Sequence, residues 1–182
     1  MPRSGVTGRR SLRHNTDMIQ QIRFAHVNLV ARDWRRLARF YEDVLGCTRL
    51  APERDYAGPS LDAGTGIQNA HLQGAHLRLP GFPEEQAPTL EIFQYDPEGQ
   101  AAEQTVNRLG YGHICFQVDD VTAAREEILR GGGSAVGEIV TLCPSRNASV
   151  SWCYVRDPEG NIIELQRWYP FGFVPLAPDA PE

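Results

Sequence analysis

The sequence has few cysteines and no long apolar run. Its four cysteines, Cys47, Cys115, Cys143 and Cys153, form no C-x-x-C pair and no regular framework, which argues against a zinc ribbon or a disulfide scaffold. We therefore expect reduced thiols, most of them buried. No run approaches the roughly 20 apolar residues that a membrane span needs, and the N-terminus lacks the apolar stretch of a secretory signal. We expect a soluble, cytoplasmic protein with no membrane partner.

Positive charge is also in short supply. Lys and Arg number 18 against 23 Asp and Glu, which gives a formal net charge of -5 at pH 7. A general nucleic-acid binder would normally carry a basic face, so we expect no nucleic-acid partner. With 182 residues, 41% of them hydrophobic, the chain is long enough to bury one core or to form two small fused units.

The two ends differ in composition from the rest of the chain. Residues 1–17 hold four arginines among Ser, Thr and Gly without apolar periodicity, which predicts a disordered basic extension. An organelle transit peptide would also be rich in Arg, but this segment shows no amphipathic helix. Residues 169–182 are rich in proline and are predicted to form an irregular C-terminal tail.

One phrase occurs twice between these ends. "FAHVNLVARD" at 24–33 and "YGHICFQVDD" at 111–120 each place an aromatic residue two positions before a His and an Asp seven positions after it. Alternation along a strand puts the His on one face and the apolar residues on the other. A helical pattern follows each strand, with Asp33 and Asp120 suited to the N-caps and a glycine after each end. The chain therefore contains two copies of a strand-helix unit.

Each copy is predicted to close with a strand that carries one glutamate. In "TLEIFQY" and in "IIELQRW" a Leu and an Ile flank that glutamate, which is Glu91 in the first copy and Glu164 in the second. If the apolar neighbours face the helices, both carboxylates lie on the same side of their strands as the histidines, His26 and His113.

These patterns predict an α+β fold of two β-α-β-β-β modules, at residues 20–98 and 107–168, with an open curved sheet around one cleft. Two imidazoles and two carboxylates in such a cleft suit a single divalent ion such as Zn, Ni, Co, Mn or Fe(II). Any one of the four would more often be a surface residue, but their recurrence at matching places favours a joint site. The predicted metal ligands are His26, Glu91, His113 and Glu164.

The first copy is longer than the second. Its His and Glu are 65 positions apart, against 51 in the second copy. The excess lies in or near residues 56–88, where Gly and Pro suggest a loop over the cleft mouth. His71, His76 and Arg78 fall in this stretch, and Arg78 could bind a substrate carboxylate or phosphate, although a solvated Arg is the commoner case. The candidate substrate-pocket residues are Arg78, Phe93, Tyr95, Trp152 and Tyr154.

The segments "HVNLVARDWRRLARFYEDVLG", "YGHICFQVDDV" and "DPEGNIIELQ" resemble the vicinal oxygen chelate superfamily, which includes glyoxalase I, methylmalonyl-CoA epimerase, extradiol dioxygenases and the bleomycin resistance proteins. The resemblance covers about residues 20–168. It implies paired modules around one divalent metal ion, a small-molecule substrate and a homodimer. It also places the four predicted ligands on the metal positions of glyoxalase I, where a ligand Glu works as the base, so that Glu91 and Glu164 become catalytic candidates.

The resemblance to bacterial glyoxalase I is incomplete where that enzyme holds glutathione. Val30 and Tyr95 stand where the bacterial enzyme has an Arg and an Asn that help to bind this group. The substrate therefore need not be linked to glutathione.

Three functions remain open on the sequence. A lyase or isomerase of the glyoxalase or epimerase kind would move a proton next to a metal-chelated carbonyl, and a shell with two carboxylates favours it. An Fe(II) extradiol dioxygenase would need only His26, His113 and Glu164. A drug-sequestering protein of the bleomycin resistance type is the third, and intact residues at all four ligand positions count against it.

Overall fold

A computed structural model describes residues 22–100, 102–145 and 148–170. The first module consists of β1 (His26–Val30), α1 (Trp34–Asp43), β2 (Thr48–Ala57), α2 (Pro59–Thr65), β3 (His71–Arg78), a 3-10 helix (Glu84–Gln86) and β4 (Thr89–Asp96). The second consists of β5 (Ile114–Gln117), α3 (Val121–Arg130), β6 (Ser134–Ala135), β7 (Val140–Ser145), β8 (Ala148–Arg156) and β9 (Ile162–Pro170). The predicted α+β class is confirmed, and in the second module two short strands, β6 and β7, stand where one was expected.

Each module forms its own sheet. The strand order is β1-β4-β3-β2 in the first sheet and β5-β9-β8-β6 in the second, where β7 also pairs with β8. The first strand of each module runs parallel to its last strand. The register is the same in both, since Asn28 pairs with Glu91 and Cys115 pairs with Glu164. Each histidine therefore stands two residues before the position opposite its glutamate.

The two main helices begin where the sequence predicts. The Asp33 carboxylate accepts a hydrogen bond from the Arg36 backbone N–H at 3.0 Å, and the Asp120 carboxylate accepts one from Ala123 at 3.0 Å. These contacts satisfy N–H groups that the first helical turn leaves without a partner. Both N-cap predictions are confirmed.

Both modules contribute to one apolar core. Leu37 of α1 and Ile128 of α3 are fully buried in it, together with the residues that flank the two glutamates: Leu90, Ile92, Ile163 and Leu165. Because strand side chains alternate, the glutamates lie on the opposite faces of their sheets. The face of each sheet that carries His and Glu therefore points away from the shared core.

One buried hydrogen bond joins the modules at this core. The Tyr41 hydroxyl of α1 donates to a carboxylate oxygen of Asp157 in the turn between β8 and β9, at 3.0 Å. Asp157 also accepts bonds from the side-chain amide of Asn161 and from the backbone N–H groups of Asn161 and Glu159. The "DPEG" turn at 157–160 thus helps to hold the two modules together.

The structure corrects two expectations from the sequence. The stretch 56–88 is not mainly a loop, because it contains α2 and the inner strand β3. All four cysteines are free, but only Cys47 and Cys153 are buried, whereas Cys115 and Cys143 are exposed.

Most of the residues for which chain-end structure was predicted lie outside the described part of the chain. β9 continues to Pro170, so residues 169 and 170 belong to a strand. The basic extension at 1–17 and the tail after residue 170 lie outside the described residues. No helix in the described residues is long and apolar enough to cross a membrane, and the cytoplasmic location stays a prediction.

Candidate metal centre

The first sheet gathers two imidazoles around one carboxylate. Nδ1 of His26 lies 3.5 Å from Oε1 of Glu91, and Nε2 of His76 lies 3.2 Å from the same oxygen. His76 reaches it because β3 pairs with β4 so that His76 stands directly opposite Glu91. Glu91 is 9% exposed. Burial lowers the pKa of His76, so its ring is neutral near pH 7.

The second sheet places one imidazole and one phenol beside its carboxylate. Nε2 of His113 lies 2.9 Å from Oε2 of Glu164. Tyr154 stands opposite Glu164 across β8 and β9, and its ring centroid is 5.1 Å from that of His113. Burial is the main cause of a raised pKa for Tyr154, and the negative charge of Glu164 raises it further. The same two causes raise the pKa of the Cys115 thiol to about 12. Both groups are therefore protonated at neutral pH.

The two modules thus differ at equivalent places. Register places His76 opposite Glu91 and Tyr154 opposite Glu164. Two positions further along, Gly74 stands opposite Phe93 in the first sheet. The equivalent pair in the second sheet is Trp152 and Gln166. The face of the first sheet carries a second imidazole, while that of the second sheet is aromatic.

The donor types in each pair fit a divalent ion. Zinc and similar ions bind imidazole nitrogen and carboxylate oxygen at about 2.0 to 2.2 Å. Two donors on one such ion would be separated by a distance close to the 2.9 Å between His113 Nε2 and Glu164 Oε2. His26 and Glu91 are also near neighbours, with Nδ1 of His26 3.5 Å from Oε1 of Glu91. Either His–Glu pair could therefore contribute to a metal site.

The four predicted ligands come together as two pairs and not as one group. His26 lies with Glu91, and His113 lies with Glu164, each pair on its own sheet. In residues 22–100, 102–145 and 148–170, no three or more His, Cys, Asp or Glu side chains are arranged to hold one metal ion.

The predicted pocket residues also divide between the two sheets. Arg78 forms an ion pair with Glu84, so its charge already has a partner within the protein. Phe93 is buried, with its ring centroid 5.7 Å from that of His76. Tyr95 is half-buried at the end of β4.

Trp152 and Tyr154 form one wall of a hollow on the second sheet. Their ring centroids are 4.9 Å apart in an edge-to-face arrangement. The hollow measures about 150 Å³ and is lined by Val150, Trp152, Tyr154, Glu164, Gln166 and Trp168. All six residues belong to the second module. Because Glu164 is one of them, the hollow lies beside the His113–Glu164 pair.

Trp168 and His76 are among the residues at these sites that the sequence did not lead us to predict. Trp168 shares a strand face with Glu164 in "IIELQRW", and this alternation was a signal that it would line the same surface. His76 carries no comparable signal, because its position opposite Glu91 depends on how β3 pairs with β4.

Two β-α-β-β-β modules that share a core and each present a His–Glu pair on the outer sheet face define a glyoxalase-like α+β protein. The chain belongs to the Glyoxalase/Bleomycin resistance protein/Dioxygenase superfamily, whose family model matches residues 23–165. Proteins of this superfamily usually bind a divalent metal ion and act on small molecules.

Curated relatives are similar to this chain at low identity over most of its length. An ethylmalonyl-CoA/methylmalonyl-CoA epimerase of Cereibacter sphaeroides is 23% identical over 145 residues, which cover 80% of this chain and 97% of the relative. A lactoylglutathione lyase of Salmonella typhimurium is 28% identical over 148 residues, which cover 79% of this chain and 91% of the relative. The relatives are thus lyases and epimerases.

Solved structures support the fold. A glyoxalase family protein from Bacillus cereus matches with a TM-score of 0.69 at 22% identity, over 86% of this chain and 99% of that one. A glyoxalase/bleomycin resistance protein/dioxygenase domain from Frankia matches with a TM-score of 0.54 at 18% identity, over 81% and 98%.

Proposed function

We propose that this protein is a divalent-metal-dependent lyase or isomerase that moves a proton next to a chelated carbonyl of a small molecule. The observation that carries the proposal is that each module pairs one His with one Glu on its outer sheet face. Two carboxylates allow one to hold the ion while the other exchanges a proton with the substrate. The lyase and epimerase relatives support this choice of reaction.

The residues that would hold the ion are His26, Glu91, His113 and Glu164. When bound, a divalent ion polarises a carbonyl and stabilises the negative charge that develops after proton removal. One of the two carboxylates, Glu91 or Glu164, accepts the proton from the substrate and returns it. The aromatic wall of Trp152 and Tyr154 excludes water and orients an apolar part of the substrate beside Glu164.

We further propose that a homodimer completes the centre. The two His–Glu pairs lie on separate sheets that point away from a shared core, and the hollow beside Glu164 is lined by the second module alone. That sheet face also exposes apolar side chains, with Trp168 at 47% and Leu142 at 51%. A second copy that presents its first-sheet face would cover this apolar surface and join the two pairs.

Mixing two inactive variants tests the dimer directly. In a shared site, Glu91→Gln in one subunit and Glu164→Gln in the other leave one of the two sites of the mixed dimer intact. We expect metal binding and activity to return after the two variants are unfolded and refolded together, whereas each variant refolded alone stays inactive. A cleft formed within one chain would give no recovery, and sedimentation showing only monomer would also contradict the dimer.

The reaction itself is tested by solvent exchange. Protein loaded with Ni, Co, Zn, Mn or Fe(II) is incubated in D₂O with S-lactoylglutathione or with methylmalonyl-CoA, and exchange of the proton next to the carbonyl is followed by NMR. We expect metal-dependent exchange, which falls by about 10²- to 10⁴-fold in the Glu164→Gln and Glu91→Gln variants because a ligand or general base is lost. Strict Fe(II) dependence with oxygen uptake, retained in Glu91→Gln, would instead indicate a ring-cleavage dioxygenase.

A further inference from the structure

We infer that His76 is a positioning residue for Glu91: its Nε2–H donates a hydrogen bond to Oε1 of that carboxylate, which would leave Oε2 free to bind a divalent ion. This inference rests on the proposed function, because it assigns Glu91 to the metal centre. Neither His76 nor its equivalent in the second module belongs to the predicted ligand set.

The geometry on the first sheet carries the inference. Nε2 of His76 and Oε1 of Glu91 are 3.2 Å apart, an ion-pair contact at the upper end of the distance range of N–H to O hydrogen bonds. The register places the two residues directly opposite each other on antiparallel strands, so the backbone fixes their approach. His76 and Glu91 are both largely buried, with side-chain exposures of 24% and 11%.

The surroundings of His76 restrict its ring. Phe93, two residues after Glu91 on β4, lies on the same face with its ring centroid 5.7 Å from that of His76. The Phe93 ring occupies the space above Gly74, where a Cβ atom would overlap it. A packed ring of this kind loses little additional entropy when it holds a carboxylate in place.

The second module has no imidazole at the position equivalent to His76. Tyr154 takes the place of His76 there. The two glutamates are therefore not equivalent, although the sequence repeat presents them as a matched pair. Glu91 has an imidazole on each side, from His26 and His76, whereas Glu164 has His113 and an aromatic wall.

Three variants of the full chain separate a positioning role from simple packing. His76→Leu removes the donor, and His76→Gln keeps an N–H at a similar reach. His71→Gln is the matched control, because His71 lies on the same strand but faces the other side and contacts the Asp55 carboxylate at 2.6 Å. Circular dichroism and thermal melting of the metal-free proteins check that each variant folds.

The readouts are the Co²⁺ and Ni²⁺ affinities by calorimetry and the visible absorption spectrum of bound Co²⁺. Loss of a group that orients a ligand commonly weakens metal binding by about 10- to 100-fold, and we expect this for His76→Leu. His76→Gln should recover most of the affinity and the spectrum, and His71→Gln should match the wild type. Adding His76→Leu to Glu91→Gln should cause little further loss, because both changes remove the same interaction.

A measurement on the metal-free protein supplements these. Nitrogen-15 NMR of the His76 ring should show the Nε2–H tautomer, and Glu91→Gln should shift its signal. Wild-type affinity in His76→Leu, or a ring protonated only at Nδ1, would overturn the inference while leaving the proposed function intact. Absence of binding of all five ions, Ni, Co, Zn, Mn and Fe(II), by the wild type would overturn the proposed function itself, and this inference with it.

Discussion

Replacing Tyr41 by Phe should weaken the contact between the modules without opening a cavity. The change removes one buried oxygen from a side chain that is 0% exposed. Burial and the nearby Asp157 raise the pKa of Tyr41, so its hydroxyl stays protonated and donates to the carboxylate. Asp157 keeps its bonds from Asn161 and Glu159, so the variant loses one interaction and does not strand a buried charge.

The size of the effect follows from the type of bond. A hydrogen bond to a charged group contributes about 1.5–3 kcal/mol to stability. For a chain of this length each kcal/mol corresponds to a shift of roughly 2–4 °C in Tm, so we expect Tm to fall by about 3–12 °C. The solvent exposure of the unfolded chain is unchanged, and the urea m-value should therefore stay the same.

Urea unfolding followed by Trp fluorescence measures this change. Tyr56→Phe is the matched control, because Tyr56 is 52% exposed on β2 and loses no buried bond. A Tyr41→Phe variant within about 0.5 kcal/mol of the wild type, a typical range for surface substitutions, would refute the role assigned to the bond between Tyr41 and Asp157.

Two further predictions concern the sheet faces. Gly74→Ala should destabilise the protein by about 1–3 kcal/mol or more, because the added Cβ would overlap the Ile92 carbonyl oxygen and the Phe93 ring. Gly137→Ala is the control, because Gly137 has open space around it, and it should be nearly neutral in the same urea titration. Iodoacetamide at pH 8 should label Cys115 only slowly although it is exposed, because its pKa of about 12 leaves only about one thiolate in 10⁴. The rate, followed by peptide mass spectrometry, should rise about tenfold per pH unit below that pKa, and Glu164→Gln should accelerate it; fast labelling at pH 8 would contradict the raised pKa.

Local patterns explain why so much of the fold could be predicted. The N-caps at Asp33 and Asp120 and the alternation around Glu91 and Glu164 depend only on neighbouring residues. Helix capping and strand alternation act over a few positions, so the sequence displays them directly. Repetition then related the two modules, because a common pattern written twice predicts a common fold.

The loop prediction for residues 56–88 was wrong because it, too, rested on local composition. Gly and Pro at 56–88 suggested a loop, but α2, β3 and the 3-10 helix together occupy more than half of this stretch. β3 forms as an inner strand because it pairs with both β2 and β4, and this pairing with distant segments outweighs its weak local preference for a strand.

The sequence by itself determined which side of each strand His26, Glu91, His113 and Glu164 occupy, because alternation is a local property of the extended chain. Only the tertiary structure decided which residues become their neighbours. Strand register put His76 beside Glu91 and Tyr154 beside Glu164, and the pairing of the strands into two sheets left the two His–Glu pairs on separate sheets. Pairing and packing depend on segments far apart in the chain, and no short stretch of sequence records them.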